Sequence, residues 1–233
     1  MGKPTYYLMM NAAGETFTGT GYTPDGTVPK GAIPCTQEQA QNFQAYVPSD
    51  GEIVSAPDTL LLAQAQAAQS ATIRRGFLSA VQSAPITING TDYQIDLSGP
   101  NATGNLASAS ASQILIMRNP QWAASTAVTA MQSFAVVAGS LLICSTSGTT
   151  GTTAPTPPTA FGTPVADGTA EWELYGRTFD LVGGGTVTLT AQEIITATMQ
   201  IEAYIHAMKQ QRGTLLAQIQ AAQTVSAVQA VVW

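Results

Sequence analysis

The stretch from Cys144 to Trp172, CSTSGTTGTTAPTPPTAFGTPVADGTAEW, most constrains how this chain can fold. Its Thr, Gly, Pro and Ser content is typical of a flexible linker. However, an apolar run ending in Cys144 precedes it and a tryptophan closes it, and a folded core uses such residues. The tract is therefore either a tether between two domains or a surface loop of one folded module. These alternatives predict different organisations for the whole chain.

The chain is poor in charge, and this argues against several classes of partner. Only 9% of its 233 residues are charged, against about 25% in a typical soluble domain, as is usual in proteins of permanent assemblies or in proteins outside cells. The net charge of −6 and the scattered Lys and Arg residues argue against a nucleic-acid partner, because phosphate binding needs clustered basic side chains. The apolar run Ser133–Cys144 is too short to span a membrane, so we expect no membrane insertion.

Periodicity and turn signals predict an α+β chain with a small strand-and-turn region over residues 1–57. In that region Thr36 and Gln39 have the spacing of a capping box, which predicts a short helix to about Tyr46. A long Ala-, Leu- and Gln-rich helix is expected over residues 58–83. Asn89-Gly90 then predicts a β-hairpin, and residues 100–112 are expected to form a loop or a weak helix.

The C-terminal third predicts a long helix with an apolar seam. Thr190 and Glu193 form a second capping-box pattern, followed by a helical run to about Ala222 and a short last helix. Thr198 and Arg212 interrupt the seam. It either packs on the helix over residues 58–83, which we favour, or forms a coiled coil between chains. The seam residues proposed to contact a partner helix are Ile194, Ile201, Ile205, Met208, Leu215 and Ile219.

The residues do not form a recognisable catalytic or metal-binding pattern. His206 is the only histidine, and Cys35 and Cys144 lack the spacing of a metal site. The two cysteines are far apart in sequence, and in a chain made in cytoplasm we expect two buried free thiols, with a disulfide as the open alternative. Glu171 and Glu173 flank Trp172 and are interpreted as the solvated face of a strand. The sequence therefore predicts a non-enzymatic protein with no catalytic residues, no metal and no cofactor.

Two long segments resemble proteins of bacteriophage tails. Asp58–Ser98 together with Trp172–Trp233 resembles a domain of unknown function that recurs in tail-fibre and tail-fibre-assembly proteins. The stretches RRGFLSA, ITINGTDYQID and the terminal TVSAVQAVVW carry this resemblance. The first 57 residues, with GAIPCTQEQAQNFQ, resemble the opening of tail-fibre assembly proteins.

The segment Asn119–Leu174 resembles a small β module of phage structural proteins. Four short motifs carry the resemblance: Trp122-Ala123-Ala124-Ser125-Thr126, Ser147-Gly148-Thr149-Thr150-Gly151, Asp167-Gly168-Thr169 and Trp172, with Cys144 ending a strand. The resemblance implies that the Thr/Gly/Pro tract is a loop. It implies a module at residues 119–174 inserted in a helical domain formed by residues 58–118 and 175–233, after the region over residues 1–57.

The module is similar to carbohydrate-binding domains of chitinase type, in which aromatic rings stack on sugars. The resemblance gives Trp122 and Trp172 as candidate glycan-binding residues, with Phe161 and Tyr175 behind them. The alternative is that the two tryptophans form the core of the module, and exposure decides between these roles.

The resemblance implies a structural component of a phage tail, either a tail-fibre or a baseplate-associated protein. It would be made in the bacterial host cytoplasm and located in the virion. Its expected partners are other tail or fibre proteins and further copies of itself, with a trimer favoured, and host attachment through a surface polysaccharide is a further expectation. The alternatives are a receptor-binding adhesin for bacterial surface glycan and a tail-fibre assembly chaperone absent from the mature virion.

Overall fold

A computed structural model describes residues 4–233 of the protein, apart from the side chain of Ser108. Within these residues lie five α-helices: α1 Gln37–Gln41, α2 Asp58–Ala80, α3 Gly99–Arg118, α4 Ala191–Ala221 and α5 Val225–Gln229. The strands are β1 Thr5–Met10, β2 Phe17–Thr23, β3 Ala32–Cys35, β4 Tyr46–Ser49, β5 Glu52–Ser55, β6 Ser83–Ile88, β7 Thr91–Asp96, β8 Ala127–Val128, β9 Phe134–Val137, β10 Ser140–Thr146, β11 Gly148–Thr149, β12 Val165–Asp167, β13 Ala170–Leu174, β14 Gly176–Asp180 and β15 Thr186–Thr190. Paired strands are antiparallel and several small sheets accompany the helices, so the predicted α+β class is confirmed.

The chain divides into two compact units. Unit 1 is built from Met1–Arg74 and Gly213–Trp233, and unit 2 is the continuous stretch Arg75–Arg212. Both divisions fall inside helices, in α2 and in α4. The division expected from the sequence, with regions 1–57, 58–118 plus 175–233, and 119–174, stays a prediction.

Unit 1 begins with a three-stranded sheet of order β2-β1-β3, followed by the hairpin β4-β5. The predicted capping box is present, since the Gln39 backbone N–H donates to Thr36 Oγ1 at 3.1 Å and the Thr36 N–H donates to Gln39 Oε1 at 2.9 Å. The predicted extent of this helix was wrong. Helix α1 stops at Gln41 because Asn42 leaves the helical region with φ −116° and ψ 33°, and a 3₁₀ turn, Phe43–Ala45, follows.

The core of unit 1 joins α2 to the C-terminal part of α4 and to α5. Ile73, Ile219 and Val228 are buried together there. Gln66 of α2 donates from Nε2 to the carbonyl oxygens of Ile219 and Ala222, at 3.1 and 3.2 Å, where the end of α4 leaves carbonyls without helical partners. The last turn of α4 is thus held by apolar burial and by a side-chain amide.

Unit 2 contains the predicted hairpin, β6-β7. Asn89 and Gly90 both have positive φ, 51° and 77°, as a type I′ turn requires. Helix α4 binds this hairpin through its amides: Gln200 accepts from the Thr87 N–H at 2.7 Å and donates to the Thr87 carbonyl at 3.0 Å. The predicted capping box at Thr190 is also present, and the same Glu193 carboxylate accepts from Asn89 Nδ2 at 2.6 Å.

Residues 99–118, whose first part was expected to be a loop or weak helix, form the helix α3. Its buried face carries Asn105, which is 2% exposed. Asn105 donates to the carbonyls of Asp96 and Asp180 and accepts from the Asp180 N–H at 3.0 Å. These contacts tie α3 to β7 and β14, so packing rather than local preference stabilises this Gly- and Ser-containing helix.

The start of α3 predicts a pH dependence of stability. The Asp96 carboxylate accepts from the hydroxyl and N–H of Ser98 and from Asn101 Nδ2, and these bonds hold its pKa below the usual range. Because the folded pKa is depressed, this stabilisation is present above the unfolded pKa near 4 and is lost as pH falls through the folded value. Urea unfolding between pH 7 and pH 2 should show a steeper acid loss for the native chain than for Asp96→Asn. The exposed Asp50→Asn variant should follow the native curve, and an unchanged slope in Asp96→Asn would contradict the argument.

The apolar seam of α4 is largely filled by the chain itself. Ile194 and Ile201 are buried in the core of unit 2, with Ile205 packed against it, while Leu215 and Ile219 belong to the core of unit 1. Met208 is half-buried. The expectation that these side chains contact a partner helix in another copy does not fit this packing. The favoured alternative, packing on α2, is what residues 215 and 219 do.

The two polar interruptions of the seam have local partners. Thr198 donates from its hydroxyl to the Ile194 carbonyl at 2.8 Å. The Arg212 guanidinium lies 4.3 Å from the centre of the Phe77 ring, within the range of a cation–π contact. Both interrupting residues are therefore accommodated by partners within the same chain.

Replacing Arg212 with glutamine should lower the free energy of unfolding of unit 2 by about 1 kcal/mol, since a partly buried cation–π contact is lost. The matched control is Lys209→Gln, which removes the same charge from an exposed position of the same helix and should have little effect. Chemical denaturation followed by circular dichroism measures both. Equal effects of the two variants would show that charge, and not the ring contact, is responsible.

Candidate functional site

The candidate site lies in residues 119–174, which we call the β module. Its main sheet has the order β12-β13-β10-β9, and β8 pairs with β11 beside it. These strands pair only with each other in the described chain, and Gln121 adds a parallel bridge to Val136 of β9. A buried cluster of Ala135, Val137, Leu142, Cys144 and Trp172 lies on the sheet.

The centre of the β module is the Asp167 carboxylate, which is 3% exposed. Its Oδ2 atom accepts from the indole Nε1–H groups of Trp122 at 2.7 Å and Trp172 at 2.9 Å. Its Oδ1 atom accepts from the Gly151 backbone N–H at 2.7 Å. One carboxylate therefore joins three segments that are far apart in sequence, and hydrogen bonds compensate its burial.

Thr150, which is also buried, makes a second connection close to this centre. Its hydroxyl accepts from the Thr126 N–H at 2.9 Å and donates to the Ala123 carbonyl at 2.7 Å. Two backbone hydrogen bonds connect the same segments: the Ser125 N–H donates to the Gly151 carbonyl and the Thr150 N–H donates to the Thr126 carbonyl. The segment after Trp122 is thus fixed to the SGTTG segment through these four hydrogen bonds.

Two glycines allow these segments to approach each other. A Cβ added at Gly168 would lie 2.3 Å from the Thr149 carbonyl oxygen, and Gly168 also has φ +67°. A Cβ added at Gly148 would lie 2.4 Å from the Thr169 carbonyl oxygen. Glycine is therefore required at both positions, where backbone meets backbone.

The Thr/Gly/Pro tract is part of this module and not a tether to another unit, since both its ends lie in unit 2 and pair within the module. Between β11 and β12 it forms an irregular loop. Pro158 is buried, whereas most of its neighbours in the loop are exposed. Of the two alternatives for the tract, the structure shows the surface loop.

Two of the four glycan candidates do not present an aromatic face to solvent. Trp172 is 1% exposed and Tyr175 is 4% exposed. Tyr175 packs edge-on against Phe134 with ring centres 5.5 Å apart, and its hydroxyl accepts from Arg177 Nε at 2.8 Å. The expected stacking of sugars on these two rings does not fit their burial, because each ring serves the core.

Trp122 and Phe161 remain accessible. Trp122 is half-buried and lines a cavity of about 220 Å³ with Gln121, Thr126, Ser133 and Phe134. Phe161 is 39% exposed, and its ring lies against Gly176, where an added Cβ would come within 2.4 Å of the ring. Phe161 is not among the residues lining the Trp122 cavity, so the structure does not bring the four candidates together in one site.

The remaining chemistry-bearing residues are dispersed. Cys35 and Cys144 are free thiols, and burial raises the pKa of each above its ordinary value, which keeps them protonated at neutral pH. His206 is exposed on α4. In residues 4–233 no group of three or more His, Cys, Asp or Glu side chains is arranged to hold a metal ion. Over the same residues no helix has both the length and the apolar character to cross a membrane.

The sequence motifs included Asp167, Thr150 and Gly151, but no sequence pattern assigned any of the three a role of its own. The composition of the segment did contain a signal, since its only aspartate accompanies two tryptophans and few other charged residues. An aspartate in such surroundings can be a buried carboxylate that accepts hydrogen bonds from the indole groups. The predicted alternation around Trp172 is confirmed, since Trp172 is buried while Glu171 and Glu173 are half-buried. Glu171 accepts from the Thr146 hydroxyl at 2.7 Å.

Comparisons of the chain with protein-family models, with curated proteins and with solved structures found no match.

Proposed function

We propose that the chain is a non-enzymatic structural component of a bacteriophage tail, a tail-fibre or baseplate-associated protein that serves assembly and host attachment. The observation that carries the proposal is the convergence of Trp122, Gly151, Asp167 and Trp172 on one buried centre. These residues come from the motifs that resemble the β module of phage structural proteins. The low charge of the chain is also suited to a permanent assembly.

The buried centre supports a structural role in place of a catalytic one. All three donors point at Asp167 and the carboxylate is covered, so no substrate can reach it. Backbone hydrogen bonds fix the surrounding loops, which suits a rigid structural module. The module therefore works as a rigid element on which a surface for partners or receptors is built.

Mass spectrometry of purified particles of the phage that encodes the chain tests the proposal. The chain should be found in mature virions, in amounts proportional to other tail proteins. Its absence from virions, together with its presence in infected cells bound to fibre protein, would favour the assembly chaperone. Light scattering of the purified chain should show an oligomer, with a trimer favoured.

A second candidate function, a receptor-binding adhesin for bacterial surface glycan, is favoured by the Trp122 cavity. An indole face with Gln121, Thr126 and Ser133 nearby is the combination of apolar and polar groups that binds a sugar. A glycan array should then show binding that Gln121→Ala weakens, since this exposed residue lines the cavity without contacting Asp167. An array without any binding would reject the adhesin.

A further inference from the structure

The turn of the β6–β7 hairpin contains the only Asn-Gly pair of the sequence, Asn89-Gly90. Both residues are exposed, and a Cβ added at Gly90 would meet nothing within 4 Å. Within the described chain the Gly90 backbone N–H donates no hydrogen bond. A solvent-accessible backbone nitrogen without a partner therefore directly follows a side-chain amide.

A backbone nitrogen in this position can attack the side chain of the preceding asparagine. The Gly90 nitrogen loses its proton to hydroxide and forms a bond to Asn89 Cγ, while the bond between Cγ and Nδ2 breaks. Nδ2 takes a proton from water and leaves as ammonia, so that a succinimide ring remains. Water then opens the ring at either carbonyl and leaves aspartate or isoaspartate. Glycine favours ring closure because it has no side chain and the freest backbone.

The Glu193 carboxylate holds the amide that has to leave. Its Oε1 atom accepts from Asn89 Nδ2 at 2.6 Å. Its Oε2 atom accepts from the N–H and the hydroxyl of Thr190, both at 2.8 Å, which fixes the carboxylate at the start of α4. A charge-assisted bond of this kind keeps the Asn89 side chain in one orientation. Attack by Gly90 therefore requires that this bond opens first.

We propose that Asn89 is a site of spontaneous deamidation and that Glu193 sets its rate. The reaction also changes the contact, because a carboxylate at position 89 faces Glu193 Oε1 in place of a donor, and like charges at this distance repel. Glu193 cannot turn away without losing its bonds to Thr190. Deamidation therefore separates the hairpin turn from the start of α4. This inference concerns covalent ageing of the chain and does not depend on the proposed tail function.

Peptide mapping by mass spectrometry, on the full chain incubated in mildly alkaline buffer, tests the modification. Asn89 should convert to a mixture of aspartate and isoaspartate. Asn119 is the matched control within the same chain, since it is exposed and has a similar φ, 42° against 51°. It precedes Pro120, whose nitrogen has no proton to lose, so Asn119 should stay an amide. Conversion of Asn89 no faster than that of Asn119 overturns the proposal.

Two variants test the role of Glu193. Glu193→Ala frees the Asn89 amide and should speed its conversion about tenfold, because a hydrogen bond to a charged group no longer has to break. Thr190→Val is the matched control, since it removes the capping hydroxyl but leaves Glu193 Oε1 to accept from Asn89. It should convert at nearly the native rate. Equal rates in the two variants would assign the effect to a loosened helix start and overturn the role of Glu193.

Asn89→Asp tests the effect of the product, because it carries the carboxylate from the start. Hydrogen exchange should show about tenfold lower protection than in the native chain at residues 88–91 and at the Thr190 N–H. Adding Glu193→Gln should restore most of this protection, since the new amide can donate to the carboxylate at position 89 while its oxygen accepts from Thr190. Native protection in Asn89→Asp, or no recovery in the double variant, overturns the proposed separation.

Discussion

Replacing Asp167 with alanine should unfold the β module. The change leaves the indole N–H groups of Trp122 and Trp172 and the Gly151 N–H without an acceptor. Each unpaired buried donor costs about 1–3 kcal/mol, so the loss should reach about 3 kcal/mol or more. Asp167→Asn should lose less, because one oxygen can still accept from both indoles while its amide group faces the Gly151 N–H.

Tryptophan fluorescence measures this outcome directly, because exposure of Trp122 and Trp172 shifts the emission to longer wavelength. The matched control is Glu173→Ala, which removes a carboxylate from the same sheet at a site with no side-chain hydrogen bond in the described structure. Hydrogen exchange adds a local readout and should show lost protection in β10 and β13. A folded Asp167→Ala module with native protection would contradict the central role of this carboxylate.

The second large effect is expected for Gly168→Ala. A residue with a side chain at φ +67° is strained by roughly 1–2 kcal/mol. In addition, the new methyl group would lie 2.3 Å from the Thr149 carbonyl oxygen and 2.8 Å from the Gly151 nitrogen. Backbone has to move at the point where the two loops join, so the total loss should exceed about 3 kcal/mol.

Gly162→Ala separates the two causes. Gly162 has nearly the same φ, +68°, in the same module, but an added Cβ would meet nothing within 4 Å. This variant should lose only the backbone contribution of roughly 1–2 kcal/mol. Denaturant unfolding of the two variants side by side measures the difference, and equal losses would show that close packing at Gly168 is not what requires glycine.

Local signals predicted those parts of the fold that depend on local chemistry. Asn89-Gly90 fixed the hairpin because both residues tolerate positive φ, and the Thr190–Glu193 spacing marked the start of α4 because its bonds form within one turn. Helix α3 was not predicted with certainty. Its Gly and Ser residues favour no structure by themselves, and contacts of Asn105 with the neighbouring strand β7 and the distant strand β14 stabilise it.

The role of the aromatic residues could be only partly predicted, for a related reason. The alternation around Trp172 indicated which strand face the ring occupies, but the burial of that face depends on residues such as Ala135 and Val137. Composition marked Asp167 and the two tryptophans as unusual in their segment, but no local pattern pairs them, since Trp122 is 45 positions from Asp167. The apolar seam of α4 posed the opposite problem. Its period was clear and packing on α2 was favoured, but only Leu215 and Ile219 pack there, while Ile194 and Ile201 are buried in the core of unit 2.

Unit 1 is assembled from two segments that are far apart in sequence, and this affects the order in which the units can fold during translation. Ile73 is synthesised well before Ile219 and Val228, against which it is buried. Unit 2 is one uninterrupted stretch and can fold while synthesis continues. The segment of unit 1 that ends at Arg74 therefore lacks a complete core until Ile219 and Val228 have been made, so a nascent polypeptide that stalls before Ile219 would expose the apolar side chain of Ile73.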